Sequence, residues 1–100
     1  MVGLRADVRD PVDMSAMVQA AVEHFGKVDV LINNAGIMPL AFFADHNEAA
    51  AAWSHCIDVN FKGVLNGICA VHDQMIAQGA GHIVDLSSIC ANYPVRGAAV

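Results

Sequence analysis

The apolar positions of the chain first form three short runs that favour strands. They lie at Val2–Ala6, Val28–Ile32 and His82–Leu86, and the first is weakened by Gly3. Each run is rich in β-branched or other apolar residues and is bounded by polar or turn-forming positions. The pattern therefore predicts three strands, the second of them buried.

Between these runs, apolar residues recur at helical spacing. The first helix is predicted to begin at Pro11, with Asp10 as its N-cap and Gly26 as its stop. The second helical stretch covers Asn47–His55 and continues over Ile57–Gln78. Its apolar residues lie on more than one side, which indicates burial on more than one side.

One stripe of the second helical stretch is predicted to face the core. Its members are Phe61, Val64, Ile68, Val71 and Met75. Gly63 and Gly67 lie one turn apart on this helix, where another backbone could approach closely. Ile37–Phe43 is an apolar loop, and we expect it to cover a ligand or a neighbouring chain.

The order strand, helix, strand, helix, strand predicts an α/β fold with parallel strands. Ligands of such sheets bind at the carboxyl ends of the strands. The second strand ends in Asn33-Asn34-Ala35-Gly36 and the third in Ser87-Ser88. These polar and small residues suit a ligand that lies close to the backbone, although a plain turn is the alternative.

Composition narrows the class of protein. The chain has 100 residues, 56% hydrophobic and 15% charged, which fits one small domain and excludes disorder. A formal net charge of −5 argues against a nucleic-acid partner. No apolar run is long enough to cross a bilayer, and the start lacks the layout of a signal peptide.

Cysteine and histidine usage adds two expectations. Cys56, Cys69 and Cys90 form no Cys-x-x-Cys pair, so we expect reduced thiols in a cytoplasmic protein. The five histidines show no metal-ligand spacing, and we assign no metal site.

Four features, taken together and in this order, resemble the short-chain dehydrogenase/reductase (SDR) family. They are Asp7-Val8, Asn33–Gly36, Asn60 within Val-Asn-Phe-Lys-Gly, and Ser87-Ser88. The resemblance extends over essentially the whole chain. It implies a doubly wound Rossmann sheet that binds NAD or NADP, and hydride transfer between that cofactor and a small-molecule alcohol or carbonyl substrate.

The resemblance also implies roles at the cofactor. Asp7 would accept a hydrogen bond from the adenine amino group, and the backbone of Val8 would lie beside it. Asn34, Ala35 and Gly36 would line the cofactor near its adenosine ribose. The competing interpretation of Asp7 is a residue that only shapes the approach to the first helix.

Two residues would be catalytic on the same resemblance. Ser88 would bind the substrate oxygen and stabilise charge that develops there. Asn60 would lie at a disturbance in the long helix and hold a water of the proton relay. The competing interpretation of Asn60 is an amide that satisfies backbone groups, and the family gives it part of that role. The segment departs from the family's Ser-Ser-x-Ala-Gly pattern, since Ile89, Cys90 and Ala91 follow Ser88.

The resemblance further implies that residues 1–100 are the central, incomplete part of a single NAD(P)-binding Rossmann domain. They match family strands three to five, without the glycine-rich turn and the Tyr-x-x-x-Lys pair. Tyr93 is no substitute, because Gly97 stands where the lysine would be. We therefore expect the isolated chain to be inactive and only marginally stable. The alternative is a non-catalytic remnant that acts as a binding or oligomerisation module. In intact relatives the helix matching Asn60–Gln78 packs against its symmetry mate, which implies a dimer or tetramer.

Overall fold

The structure is a computed structural model that describes residues 1–88 and residue 92. Its regular elements, in chain order, are helix α1 (Pro11–Phe25), strand β1 (Val30–Asn33), a 3-10 turn (Phe43–Asp45), helix α2 (His46–Ile57), a π-helical turn (Asp58–Lys62), helix α3 (Gly63–Gln78) and strand β2 (His82–Asp85). The loop predicted for Ile89–Val100 lies outside the described residues apart from Asn92.

Strands β1 and β2 are parallel neighbours. Val30 lies opposite His82 and Asn33 lies opposite Asp85, so both strands end at the same edge. The ladder continues one step further, where the N–H of Leu86 donates to the carbonyl of Asn33 at 3.0 Å. The prediction that these two strands run parallel is confirmed.

The strand predicted at Val2–Ala6 is wrong. A strand needs a neighbour that satisfies its backbone groups, and within the described residues the sheet consists of β1 and β2 alone. Val2 and Leu4 are exposed at the surface. The five-element order predicted from the sequence therefore loses its first strand over residues 1–88. What remains is α1, β1, the helical stretch from α2 to α3, and β2, with the α/β class unchanged.

The core lies on one face of the sheet, where α1 and α3 pack together. Val18, Leu31, Val71 and Met75 form its buried cluster, and Val71 is only 1% exposed. On the opposite face of β1, Val30 is 51% exposed and Ile32 is 59% exposed. The sequence predicted a buried strand, but the described helices cover only one of its faces.

The stripe predicted along the second helix is confirmed in part. Val71 and Met75 are buried, whereas Phe61 is 70% exposed. Phe61 lies in the π-helical turn, where the wider turn shifts the helical phase. A stripe extrapolated backwards from α3 at regular α-helical spacing therefore misses the core at that position.

The predicted caps and close approach are present. The Asp10 side chain accepts the N–H of Val12 at 2.9 Å, and Gly26 ends α1 with a φ of 83°. A Cβ on Gly63 would lie 2.8 Å from Cγ2 of Val8, and one on Gly67 would overlap the side-chain amide of Asn33. The groups that approach the helix are thus side chains, where a backbone was expected.

Candidate cofactor site

Three of the predicted cofactor residues line one open cavity. Asp7, Val8 and Ala35 contribute to a space of about 670 Å³ at the carboxyl edge of β1. The remaining lining residues are Arg5, Ala6, Arg9, Asp10, Asp13, His55 and Val59. Residues far apart in sequence therefore converge at the sheet edge where ligands of open α/β sheets bind.

A smaller and mostly apolar cavity of about 130 Å³ lies next to the first. Val8, Asn34, Ala35 and Val59 are among the residues that line it, and Val8, Ala35 and Val59 border both cavities. Asn34 and Val8 therefore line the same small cavity. The structure thus gathers four of the five predicted cofactor residues around two adjoining cavities.

Arg9 holds the carboxylate of Asp7. Nη2 of Arg9 donates to Oδ2 at 2.7 Å, and Nε donates to Oδ1 at 3.0 Å. The Arg9 backbone N–H also donates to Oδ1, at 2.9 Å. These hydrogen bonds, the side-chain ones first, lower the pKa of Asp7 to about 2. Near neutral pH the carboxyl is therefore an anionic acceptor.

The segment that carries Asp7 and Val8 is fixed to the helices around it. The backbone N–H of Asp7 donates to Oδ2 of Asp13 in α1 at 2.9 Å. The carbonyl of Val8 accepts a hydrogen bond from Nδ2 of Asn66 in α3, also at 2.9 Å. The segment is therefore held without being part of a strand.

Asn60 holds the loop that follows β1. Its Oδ1 accepts the N–H of Ile37 at 2.8 Å, and its Nδ2 donates to the carbonyl of Ile37 at 2.7 Å. The same Nδ2 lies 3.3 Å from Sγ of Cys56. A Cβ placed on Gly36 would lie 3.5 Å from Oδ1 of Asn60, so Gly36 lies directly against this amide.

The helical disturbance expected at Asn60 is present. Asp58–Lys62 form a π-helical turn between α2 and α3. Such turns are rare and are found preferentially at functional sites. The backbone-satisfying role that was the competing interpretation of Asn60 is also present, since both polar groups of Ile37 are bonded to it.

Ser88 follows β2 at the same edge of the sheet. The end of β2 is fixed to β1 by the side chains of Asn33 and Asp85, with Nδ2 of Asn33 2.8 Å from Oδ1 of Asp85. Ser87 and Ser88 come directly after the last ladder hydrogen bond, which Leu86 donates. The sheet thus brings the serines to the side of the molecule where Asn34 and Ala35 lie.

Sequence reasoning missed three polar residues of this region. Arg9 and His55 line the larger cavity, and Nη1 of Arg9 lies 3.1 Å from Nδ1 of His55. Asn66 supports the backbone of Val8. The only sequence signal was the position of Asn66, a polar residue in the apolar first half of α3. No local pattern in the sequence connects Arg9 with His55.

Residues 1–88 and 92 contain no group of three or more His, Cys, Asp or Glu side chains that could hold a metal ion. No helix in that part of the chain combines the length and apolar character needed to span a bilayer.

Comparison with known proteins gives a consistent family. The model of the family described as short chain dehydrogenase matches residues 1–100. An uncharacterized oxidoreductase of Staphylococcus saprophyticus is 43% identical over 96 residues, which cover 96% of this chain and 38% of that protein. Oxidoreductase UcpA of Escherichia coli K12 is 43% identical over 84 residues, which cover 84% of this chain and 31% of that protein.

Solved structures agree. A short-chain dehydrogenase/reductase from Burkholderia phymatum in complex with NAD superposes with a TM-score of 0.88 at 33% identity, over 97% of this chain and 34% of that one. The structure described as ElxO with NADP bound gives a TM-score of 0.86 at 25% identity, over 95% of this chain and 38% of that one.

Proposed function

Because this chain belongs to the short-chain dehydrogenase family, we propose that it is part of an oxidoreductase that transfers a hydride between NAD or NADP and an alcohol or carbonyl substrate. The chain spans 38% of the length of the S. saprophyticus relative. The proposed activity is therefore that of a whole protein to which these residues contribute a part.

The observation that supports this function best is the cavity shared by Asp7, Val8 and Ala35. An anionic carboxylate at its rim suits the amino group of adenine, and a small residue leaves room for a ring beside the backbone. Relatives of the same fold hold NAD or NADP. The residues present therefore fit the adenosine end of such a cofactor.

The reaction divides between cofactor and protein. When bound, the nicotinamide ring supplies or accepts the hydride. Ser88 donates a hydrogen bond to the substrate oxygen and stabilises negative charge there. The Nδ2 group of Asn60 is engaged by Ile37 and Cys56, whereas Oδ1 accepts one N–H and a carbonyl oxygen has two lone pairs. We assign the second lone pair to a water of the proton relay.

The surroundings of the site support an apolar substrate and self-association. The loop after Gly36 exposes Met38, Leu40 and Phe42, and the ring of Phe43 lies edge-on to Trp53 at 5.4 Å. The long helix exposes a second set of large apolar side chains: Ile57, Phe61, Leu65 and Ile76. We propose that this helix surface packs against a second copy of the protein.

A second candidate function is a non-catalytic binding or oligomerisation module. It is favoured by the same exposed helix surface, which needs no chemistry to be useful. Asn60 and Ser88 favour the enzyme, because a module of this kind would require neither of them.

Calorimetry with NAD(H) and NADP(H) tests the proposal, on this chain and on a form extended at both ends by its coding sequence. We expect binding and turnover in the extended form and no turnover by the isolated chain. Ser88→Ala should lower kcat of the extended form by about 10²-fold or more, as loss of a donor to a developing oxyanion does. Ser87→Ala is the matched control and should leave kcat nearly unchanged. No binding by a well-folded extended form would favour the module.

A further inference from the structure

Three side chains of the larger cavity are joined in a row, with Arg9 in the middle. On one side its guanidinium contacts both carboxylate oxygens of Asp7, at 2.7 to 3.2 Å. On the other side its Nη1 lies 3.1 Å from Nδ1 of His55 in α2. The row thus connects the segment before α1 with His55 of α2, which lies 46 residues after Arg9 in the chain.

The geometry assigns the hydrogen-bonding roles. A guanidinium group has five N–H donors and no acceptor, so Nδ1 of His55 must accept from Arg9. The Nε and Nη2 contacts form the paired arrangement that holds a carboxylate in one orientation. His55 keeps the opposite edge of the guanidinium from turning. The Asp7 carboxylate is therefore fixed relative to both α1 and α2.

This arrangement contributes little to folding. The side chains of Arg9 and Asp7 are 45% and 42% exposed, and exposed ion pairs add little to the stability of proteins. Its effect lies in orientation. At the closest contact of each N–H, Arg9 donates two hydrogen bonds to Oδ1 of Asp7, from its backbone N–H and from Nε, and one to Oδ2, from Nη2, while the carboxylate still borders the cavity. Each carboxylate oxygen has two lone pairs, so the remaining one on Oδ2 has a fixed direction in which to accept a donor from a ligand.

We propose that Arg9, anchored by His55, is a positioning residue that holds Asp7 ready for the exocyclic amino group of a purine base. The inference rests on the proposed cofactor function, and Arg9 is not among the residues that resemble the family's motifs. It implies that the preference for adenine over a purine without the amino group depends on Arg9, which itself need not contact the base.

Two nucleotides that differ only in this amino group provide the test. Binding of adenosine monophosphate and of purine riboside 5′-monophosphate, which has hydrogen in place of the amino group, is measured by calorimetry on the full chain and its variants, with far-UV circular dichroism to establish that each variant keeps its helices. The unmodified chain should bind the adenine nucleotide about tenfold more tightly, as expected when a hydrogen bond to a charged acceptor is lost. Arg9→Gln should remove most of that preference, and His55→Phe should reduce it.

Arg5→Gln is the matched control. It removes the same charge from the same cavity, and within residues 1–88 the structure records no hydrogen bond between Arg5 and Asp7. The preference for adenine should survive this change. If the preference also survives Arg9→Gln, the proposed positioning role of Arg9 is wrong, whereas adenine recognition at this cavity is not affected by that result. Equal or absent binding of both nucleotides by the unmodified chain would overturn adenine recognition at this cavity, and the proposed cofactor site with it.

A titration of the Asp7 carboxyl carbon by NMR tests, without any ligand, whether Arg9 controls the pKa of Asp7. Its pKa lies at about 2 while Arg9 holds it and should return toward the ordinary value of 3.8 in Arg9→Gln. A pKa that stays at about 2 in that variant would show that Arg9 does not control Asp7.

Discussion

The side-chain amide of Asn60 holds the backbone of Ile37 from both sides. Oδ1 accepts its N–H at 2.8 Å and Nδ2 donates to its carbonyl at 2.7 Å. Gln78 does the same to Val28, with distances of 2.9 and 2.7 Å. The helical stretch from α2 to α3 therefore binds the chain just before β1, through Gln78, and again after β1, through Asn60.

Replacing Asn60 should loosen the loop after β1. Asn60→Ala removes both hydrogen bonds to Ile37 and should lower the free energy of unfolding by about 1–2 kcal/mol, since each such bond contributes about 0.5–1.5 kcal/mol. Urea unfolding and hydrogen exchange at the Ile37 amide measure the effect. Asn47→Ala, on an exposed position of α2, is the control. An unchanged rate of hydrogen exchange at the Ile37 amide would contradict a stabilising role of the two Asn60–Ile37 hydrogen bonds.

Gly67→Ala should destabilise the chain even though alanine favours helices. The gain in helix propensity is about 1 kcal/mol. The new methyl group would overlap the amide of Asn33, which is itself bonded to Asp85, and overpacking of this kind costs about 1–3 kcal/mol. We expect a net loss in thermal or urea unfolding. Gly3→Ala is the control, because nothing lies within 4 Å of a Cβ there.

Loss of the α1 cap should be measurable and reversible by a conservative change. Asp10→Ala leaves the N–H of Val12 without its side-chain partner and should cost about 1 kcal/mol. Asp10→Asn keeps an acceptor oxygen and should restore most of that loss. Denaturant unfolding followed by circular dichroism compares the variants. Equal stability of the alanine and asparagine variants would exclude a capping role.

Acid should weaken the contact between Asp7 and Arg9. The pKa of Asp7 is lowered from 3.8 to about 2 in the folded chain, so its contribution to stability is complete above 3.8 and disappears as the pH falls toward 2. Because the pair is exposed the loss is small, and urea unfolding at a series of pH values measures it. It should be smaller still in Arg9→Gln, which keeps the backbone N–H of residue 9 and loses the side-chain hydrogen bonds that lower the pKa of Asp7 most. An identical pH dependence of the two proteins would refute the linkage.

A charge on the exposed helix surface should oppose self-association. Phe61 and Leu65 are 70% and 52% exposed, and Phe61→Glu or Leu65→Glu places a carboxylate where we propose a second copy packs. Analytical ultracentrifugation of the extended form should show a smaller assembly for either variant. Asn47→Glu adds the same charge elsewhere and should leave the assembly unchanged. The same result for all three variants would place the interface on another surface.

The features predicted correctly from the residues are those with local causes. Asp10 and Gly26 bound α1 because a cap depends on a few neighbouring positions. The position of Asn60 at a helical disturbance came from the family resemblance, since nothing in the apolar spacing indicates a π-helical turn.

The features that sequence reasoning missed depend on distant partners. Val2–Ala6 has the composition of a strand, but a strand exists only where a neighbour pairs with it. The contact between Arg9 and His55 spans 46 residues and depends on how α2 is packed. Phe61 shares the hydrophobicity of the core residues and is displaced from them by the turn in which it lies.

The hydrogen bonds of Asn60 to Ile37 and of Gln78 to Val28 limit where the chain can gain or lose a residue. A π-helical turn is equivalent to one residue inserted into an α-helix. Deleting one residue from Asp58–Lys62 would rotate what precedes it by about 100° relative to α3, so that Asn60 could no longer reach Ile37 while Gln78 stays bonded to Val28. A deletion between Met38 and Leu40 would leave the hydrogen bonds of both amide side chains in place. Insertions and deletions should therefore be tolerated in the loop and selected against in the turn.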